Sequence, residues 1–185
     1  MESAHSPESL TRSVLDRLGI AEDPMTGADP VSFLRALSSA GAALLKNPFG
    51  AAAANARLAI GLAAATRATA GRAFGADTPG PISTADDKRF ADPAYAGNPL
   101  YFLLAQQYLL SGQLVTELLD AAGLGPEQEM KARFAAKFIV DALAPTNTLP
   151  GNPAAIRQAF DTGGKSLVRG ARNMLGDIRH TRGWP

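Results

Sequence analysis

Cysteine is absent from this chain, which removes disulfides, thiolate zinc sites and a cysteine nucleophile together. Histidine is nearly absent: His5 and His180 stand near opposite ends, so a histidine triad or metal cluster would have to recruit two termini. Charge of one sign is lacking too, with 18 Lys and Arg against 17 Asp and Glu and a net +1. Phosphate backbones are held by clustered Lys and Arg, so no nucleic-acid partner is expected. The opening MESAHSPESL lacks a charged stretch followed by an apolar one, the pattern of a secretory signal. Long runs of Leu and Ile are also missing. The most membrane-like stretch, FGAAAANARLAIGLAAATRATAG, is mostly Ala and Gly and contains Asn55, Arg57 and Arg67. A mid-membrane Arg costs about 2.5–3.5 kcal/mol, which this composition does not offset, so no transmembrane segment is expected.

What is present is punctuation. The chain of 185 residues is long enough to bury a core. Its prolines recur in one design: Ser6-Pro7, Asp29-Pro30, Asn47-Pro48, Asp92-Pro93, Asn98-Pro99 and Asn152-Pro153. Ser, Asp or Asn accepts a bond from an orphan N–H at a helix start, and Pro suits the first helical position. Between these marks the apolar residues recur at helical spacing. The pattern predicts helices over 7–18, 30–46, 48–73, 99–122, 126–143, 153–161 and 165–180. Their apolar stripes include Leu10, Val14 and Leu18; Phe33, Leu34, Leu37, Leu44 and Leu45; Leu100, Leu103, Leu104, Leu114, Leu118 and Leu119; Met130, Phe134, Phe138 and Ile139; and Leu167, Ala171, Met174, Leu175 and Ile178. No period-2 strand stands out. The class is all-α, an irregular helical bundle with an Ala-rich N-terminal helical leader.

Residues 75–92, GADTPGPISTADDKRFAD, read as a linker between that leader and a more apolar cluster. Alanine buries little area at ~25 cal/mol per Å², so the leader is expected to be mobile or to lean on a partner.

Each motif that suggests chemistry has a plainer reading. TGGKS at 162–166 has Ala159 where a phosphate loop needs Gly, and a helix rather than a strand before it. It is a helix break at Gly163-Gly164. GKSLV at 164–168 has Val168 where a nucleophile elbow needs Gly, so Ser166 is an early-helix residue. DDKRFAD at 86–92 sets carboxylates side by side rather than converging, and reads as a solvated turn before a short helix. Tyr95, Tyr101 and Tyr108 read as core packing with hydroxyls at the rim. No catalytic residue, cofactor-binding residue, metal ligand or cofactor is assigned.

The stretches DKRFADPAYAGNPLYFLLAQQYLL and DALAPTNTLPGNPAAIRQAFDTGGKSLVRGARNML, at this spacing, resemble the N-terminal region of polyhydroxyalkanoate (poly-3-hydroxybutyrate) synthases of the class I type. The linked marks are Arg89-Phe90 with Asp92-Pro93, Asn98-Pro99, Pro145-Thr146-Asn147 with Asn152-Pro153, and Thr162-Gly163-Gly164 with Ser166-Leu167. Tyr95 stands where the family usually has Trp. The resemblance implies three parts: a variable Ala-rich leader at 1–75, a linker at 76–86 and a synthase N-terminal-type helical domain at 87–185. These enzymes are acyltransferases that polymerise 3-hydroxyacyl-CoA into storage polyester. Their Cys, His and Asp lie in a downstream α/β-hydrolase-like domain that this chain lacks, so the chain alone is expected to be inactive. The resemblance further implies a front portion of a longer synthase, in the cytoplasm and at polyester granules. Its expected partners are that catalytic domain, a second copy in a homodimer, and the granule surface. The alternative is a stand-alone granule-coating helical protein of the phasin kind.

Overall fold

The computed structural model describes residues 30–181. The expected helix over 7–18, its Ser6-Pro7 start, Asp29 and His5 lie outside the described residues. Seven α-helices and no strand occur among the described residues. They are α1 (Pro30–Lys46), α2 (Pro48–Ala73), α3 (Ala94–Gly97), α4 (Pro99–Ala122), α5 (Pro126–Ala142), α6 (Pro153–Asp161) and α7 (Lys165–Thr181), with short 3-10 turns at Lys88–Phe90 and Pro145–Asn147. The protein is all-α.

The Asx-Pro pairs start helices in the expected way. Asn47 Oδ1 accepts from Gly50 N at 3.0 Å, Asn98 Oδ1 from Leu100 N at 2.9 Å and Asn152 Oδ1 from Ala155 N at 3.0 Å. Asp92 Oδ1 accepts from Ala94 N at 2.9 Å and opens the short α3. Gly123 ends α4 in the left-handed region, φ 57°, which a side chain would strain.

α2 runs along α4, and α1 packs on α5 and α4. The interfaces are built of alanine. Ala36 and Ala40 of α1, Ala54, Ala65 and Ala68 of α2, Ala105 and Ala122 of α4, and Ala132, Ala135 and Ala136 of α5 are all buried. Here the structure departs from the apolar stripes read in the sequence. Met130 and Phe138 are 65% and 68% exposed, Leu100 is 76% exposed, and Leu34, Leu45, Phe134 and Ile139 are also classed as exposed. The reason is geometric: Ala132, Ala135 and Ala136 share one helical face, and small side chains let that face approach its neighbours closely. The larger residues then fall on the outer side.

Between α2 and α4 the approach is close at Gly61, where a Cβ would lie 2.5 Å from Leu110 Cδ2. Asn47 Nδ2 donates to Ala121 O at 2.9 Å, and Arg57 pairs with Glu117 at 3.3 Å, so α2 is tied to α4 near its start as well. Length and composition alone make α2 the one helix among the described residues that could cross a membrane. Leu58 and Leu62 on its inner side are half-buried, whereas Phe49 and Ile60 are exposed.

The Pro/Gly/Asp-rich linker is pinned rather than loose. Gln106, the buried polar side chain of α4, donates to Ile82 O at 2.8 Å and accepts from Ile82 N at 3.0 Å. Gly80 passes so close that a Cβ would meet the Gln106 amide at 2.6 Å. Arg72 donates to Thr78 O at 2.9 Å and Ala96 O at 2.8 Å, with its guanidinium 4.1 Å from the Phe102 ring centre.

Candidate functional site

The polar side chains gather where the linker, α4, the end of α5 and the 145–153 corner meet. Arg89 is the hub. Asp87 caps the 3-10 turn by accepting from Arg89 N at 3.0 Å, and its carboxylate receives the same guanidinium at 2.9 Å and 2.6 Å. The remaining arm of Arg89 donates to Tyr108 OH at 2.5 Å and Asp141 Oδ1 at 2.8 Å. Tyr108 OH donates onward to Val140 O at 3.1 Å, and Lys137 reaches Asp141 Oδ2 at 2.6 Å. One planar five-donor cation thus joins three segments, a task suited to Arg rather than Lys.

The charge states follow from these bonds. The Arg89 guanidinium holds the Asp87 carboxyl below the usual carboxylate range, and Asp87 in turn holds Arg89 protonated. Asp141 is lowered first by the bond from Lys137, and Asp92 first by the bond from Arg157. Burial raises the Tyr95 and Tyr108 hydroxyls. The DDKRFAD stretch is therefore more than the solvated turn read in the sequence. It does lead into the short α3, but Phe90 within it is buried.

Phe90 meets Tyr95 edge-on at 4.8 Å and Tyr108 at 5.8 Å, and Tyr95 meets Tyr101 at 5.5 Å. Tyr95 is 2% exposed, and its hydroxyl is buried rather than at a rim: it donates to Gly151 O. That bond fastens the aromatic cluster to the corner PTNTLPGNP.

Inside the corner, Thr148 N and Oγ1 both donate to Pro145 O, at 2.9 and 2.8 Å, and Thr148 Oγ1 accepts from Gly151 N at 3.2 Å. Asn147 Nδ2 caps the end of α5 through Asp141 O at 2.9 Å, and Asn152 Nδ2 returns to Thr146 O at 3.0 Å. Gly151 is obligatory because a Cβ there would stand 2.2 Å from Pro145 O. Arg157 of α6 closes the circuit on Asp92 at 2.5 Å.

Thr162-Gly163-Gly164 is the α6–α7 turn, with φ 55° and 83° at its glycines. Ser166 N donates to Thr162 Oγ1 at 3.2 Å, and Thr162 Oγ1 lies 3.1 Å from Ser166 Oγ. A helix precedes it, so the geometry of a phosphate loop or nucleophile elbow is not met.

A groove of about 310 Å³ between α4 and α5 is floored by Val115, Leu119, Ala136 and Val140 and rimmed by Arg133, Lys137 and Asp141. Its cations are already paired, Arg133 with Glu129 and Asp120 and Lys137 with Asp141. No group of three or more His, Asp or Glu able to hold a metal occurs among the described residues. Asp87, Asp92 and Asp141 of this circuit each face a cation, and the Tyr95 and Tyr108 hydroxyls face backbone carbonyls.

Arg89-Phe90, Asp92, Asn98, the corner and the TGG turn were legible as motifs, whereas their joining was not. Nothing in the sequence motifs singles out Gln106 or Arg72. The available sign for Gln106 was a polar residue inside an apolar helical stripe.

The pattern described as "Poly-beta-hydroxybutyrate polymerase (PhaC) N-terminus" matches residues 86–184, from the hub to beyond α7. Poly(3-hydroxyalkanoate) polymerase 1 of Ectopseudomonas oleovorans is 40% identical over 100 residues, 54% of this chain and 18% of that protein. The poly(3-hydroxyalkanoate) polymerase subunit PhaC of Cupriavidus necator is 41% identical over 108 residues, 58% of this chain and 18% of its own length. The poly(3-hydroxyalkanoate) polymerase of Methylorubrum extorquens is 32% identical over 146 residues, 78% of this chain and 24% of its own. The chain thus spans roughly a fifth of the length of these curated relatives. No solved structure matches.

Proposed function

We propose, for a chain that belongs to the poly-beta-hydroxybutyrate polymerase (PhaC) N-terminal family, a supporting rather than a chemical role. It is the non-catalytic helical portion of a polyhydroxyalkanoate synthase, aiding dimerisation, granule association and the catalytic domain that polymerises 3-hydroxyacyl-CoA. Its place is the cytoplasm, at polyester granules. The observation that carries this reading is that Arg89, Phe90, Asp92, Tyr95 and the 145–153 corner of the matched region are joined in one structural knot, in a chain without a cysteine. Acyl transfer from a thioester needs an activated nucleophile. The family match beginning at residue 86 supports taking 87–185 as the family unit, 76–86 as a linker and 1–75 as a variable leader.

The test supplies the chain to the separately expressed catalytic portion of the Cupriavidus necator relative and follows CoA release from 3-hydroxybutyryl-CoA. The chain alone releases none, and its addition raises the rate of the catalytic portion. Release by the chain alone, or an unchanged rate with the chain present, overturns the reading. Exposed Phe49, Ile60 and Phe138 favour a second reading, a free-standing granule coat of the phasin kind. In that case the chain pellets with polyester granules and leaves the catalytic portion unaffected.

A further inference from the structure

Helix α7 differs from the rest of the molecule in charge and in coverage. Over Lys165–Thr181 it carries Lys165, Arg169, Arg172 and Arg179 against Asp177, a net +3 in a chain whose total is +1, so the remaining residues sum to −2. At helical spacing Leu167, Val168, Ala171 and Leu175 fall within a sector of roughly 100°, and Lys165, Arg169 and Arg172 cluster along one flank of it, roughly 90–150° from its centre. Leu167 is 43%, Val168 63% and Leu175 51% exposed, and the three cations are exposed as well. The helix leaves α6 through two left-handed glycines, Gly163 and Gly164.

We propose that α7 lies in the plane of an anionic phospholipid surface, with Leu167, Val168, Ala171 and Leu175 among the acyl chains and its basic face toward the headgroups. Low overall hydrophobicity, a segregated apolar strip and a Lys/Arg-rich polar face are what such a surface selects. A protein partner would use the apolar strip alone and leave the flanking basic residues without a role, whereas an anionic lipid surface uses both, because cations beside the strip lie at headgroup depth. The assignment concerns a different helix and a different chemistry from polyester contact, and stands independently of it.

The test uses the full chain with vesicles of phosphatidylglycerol and phosphatidylcholine in equal parts, and with phosphatidylcholine alone. Trp184, the single tryptophan, follows α7 in the sequence and reports by its emission. On anionic vesicles the protein floats with the lipid and the emission shifts to the blue, both weakening at high salt. Each basic residue near an anionic surface favours binding about fivefold, so Arg169→Gln with Arg172→Gln lowers partitioning roughly 30-fold. Leu167→Asp with Leu175→Asp abolishes it, while circular dichroism shows the other helices intact in both variants. Binding no better than to phosphatidylcholine, or partitioning unchanged by either pair of substitutions, overturns the proposal. So does a result in which the Leu pair alters the oligomeric state but not vesicle binding, since the strip would then belong to a protein contact.

Discussion

Gly151 shows how much one residue can carry in this protein. Its carbonyl receives the buried Tyr95 hydroxyl, its N–H bonds Thr148 Oγ1, and its missing side chain lets the chain pass Pro145 O. A methyl group there would meet a backbone oxygen, which cannot rotate away as a side-chain tip can. Gly151→Ala should therefore cost about 3 kcal/mol, the upper part of the range for overpacking, and lower the melting temperature by roughly 5–10 °C. Gly97, whose Cβ position has nothing within 4 Å, is the matched control. Gly97→Ala should stay within about 0.5 kcal/mol of the parent. Equal melting temperatures for the two variants would show that the corner yields more easily than its geometry implies.

Between elements, the decisive contact is α2 against α4. Alanine and glycine gain little apolar area each, but they allow the two helices to lie close along much of their length. Gly61 against Leu110 is a point of close approach. The tip of Leu110 can yield to one methyl group, but a branched side chain at 61 forces the helices apart. Gly61→Val is expected to cost about 1–3 kcal/mol. Hydrogen exchange should then show amides of 54–68 losing protection before those of 126–142. Adding Leu110→Ala should return part of the loss, because the two residues share one contact. Additive effects of the two substitutions would place the strain elsewhere.

For the molecule as a whole, the ion-pair circuit predicts how stability responds to acid. Asp87, Asp92 and Asp141 have carboxyl groups held below the ordinary range by Arg89, Arg157 and Lys137 respectively. In the unfolded chain the same groups take up protons near pH ~3.9. The unfolded state therefore binds more protons as the pH falls through that region. The stabilisation is fully present above the unfolded value and is lost as pH falls through the folded one. Urea midpoints should decline below about pH 4. Asp87→Asn should be less stable at neutral pH and decline less steeply, while changing little at the acid end. A parallel decline in parent and variant would exclude Asp87 from the linkage.

By itself the sequence determined the long helices from residue 30 onward and their limits to within a residue, because these follow from local rules. Asn47-Pro48, Asn98-Pro99 and Asn152-Pro153 each satisfy orphan donors within three residues, and Gly123 and Gly163-Gly164 supply left-handed stops within the same reach. It also determined that no thiol chemistry is available and that the linked marks are those of the family. Only the tertiary structure decided which faces turn inward. Spacing alone favoured Phe134 and Phe138 for the core, but Ala132, Ala135 and Ala136 took it, because the distance between helices is set by the smallest side chains both partners present. It alone decided that Arg89 would meet Asp141 across 52 positions and that Gln106 would hold the linker at Ile82. A buried polar group must find its partner wherever the fold brings one, and nothing local in the sequence states where that is.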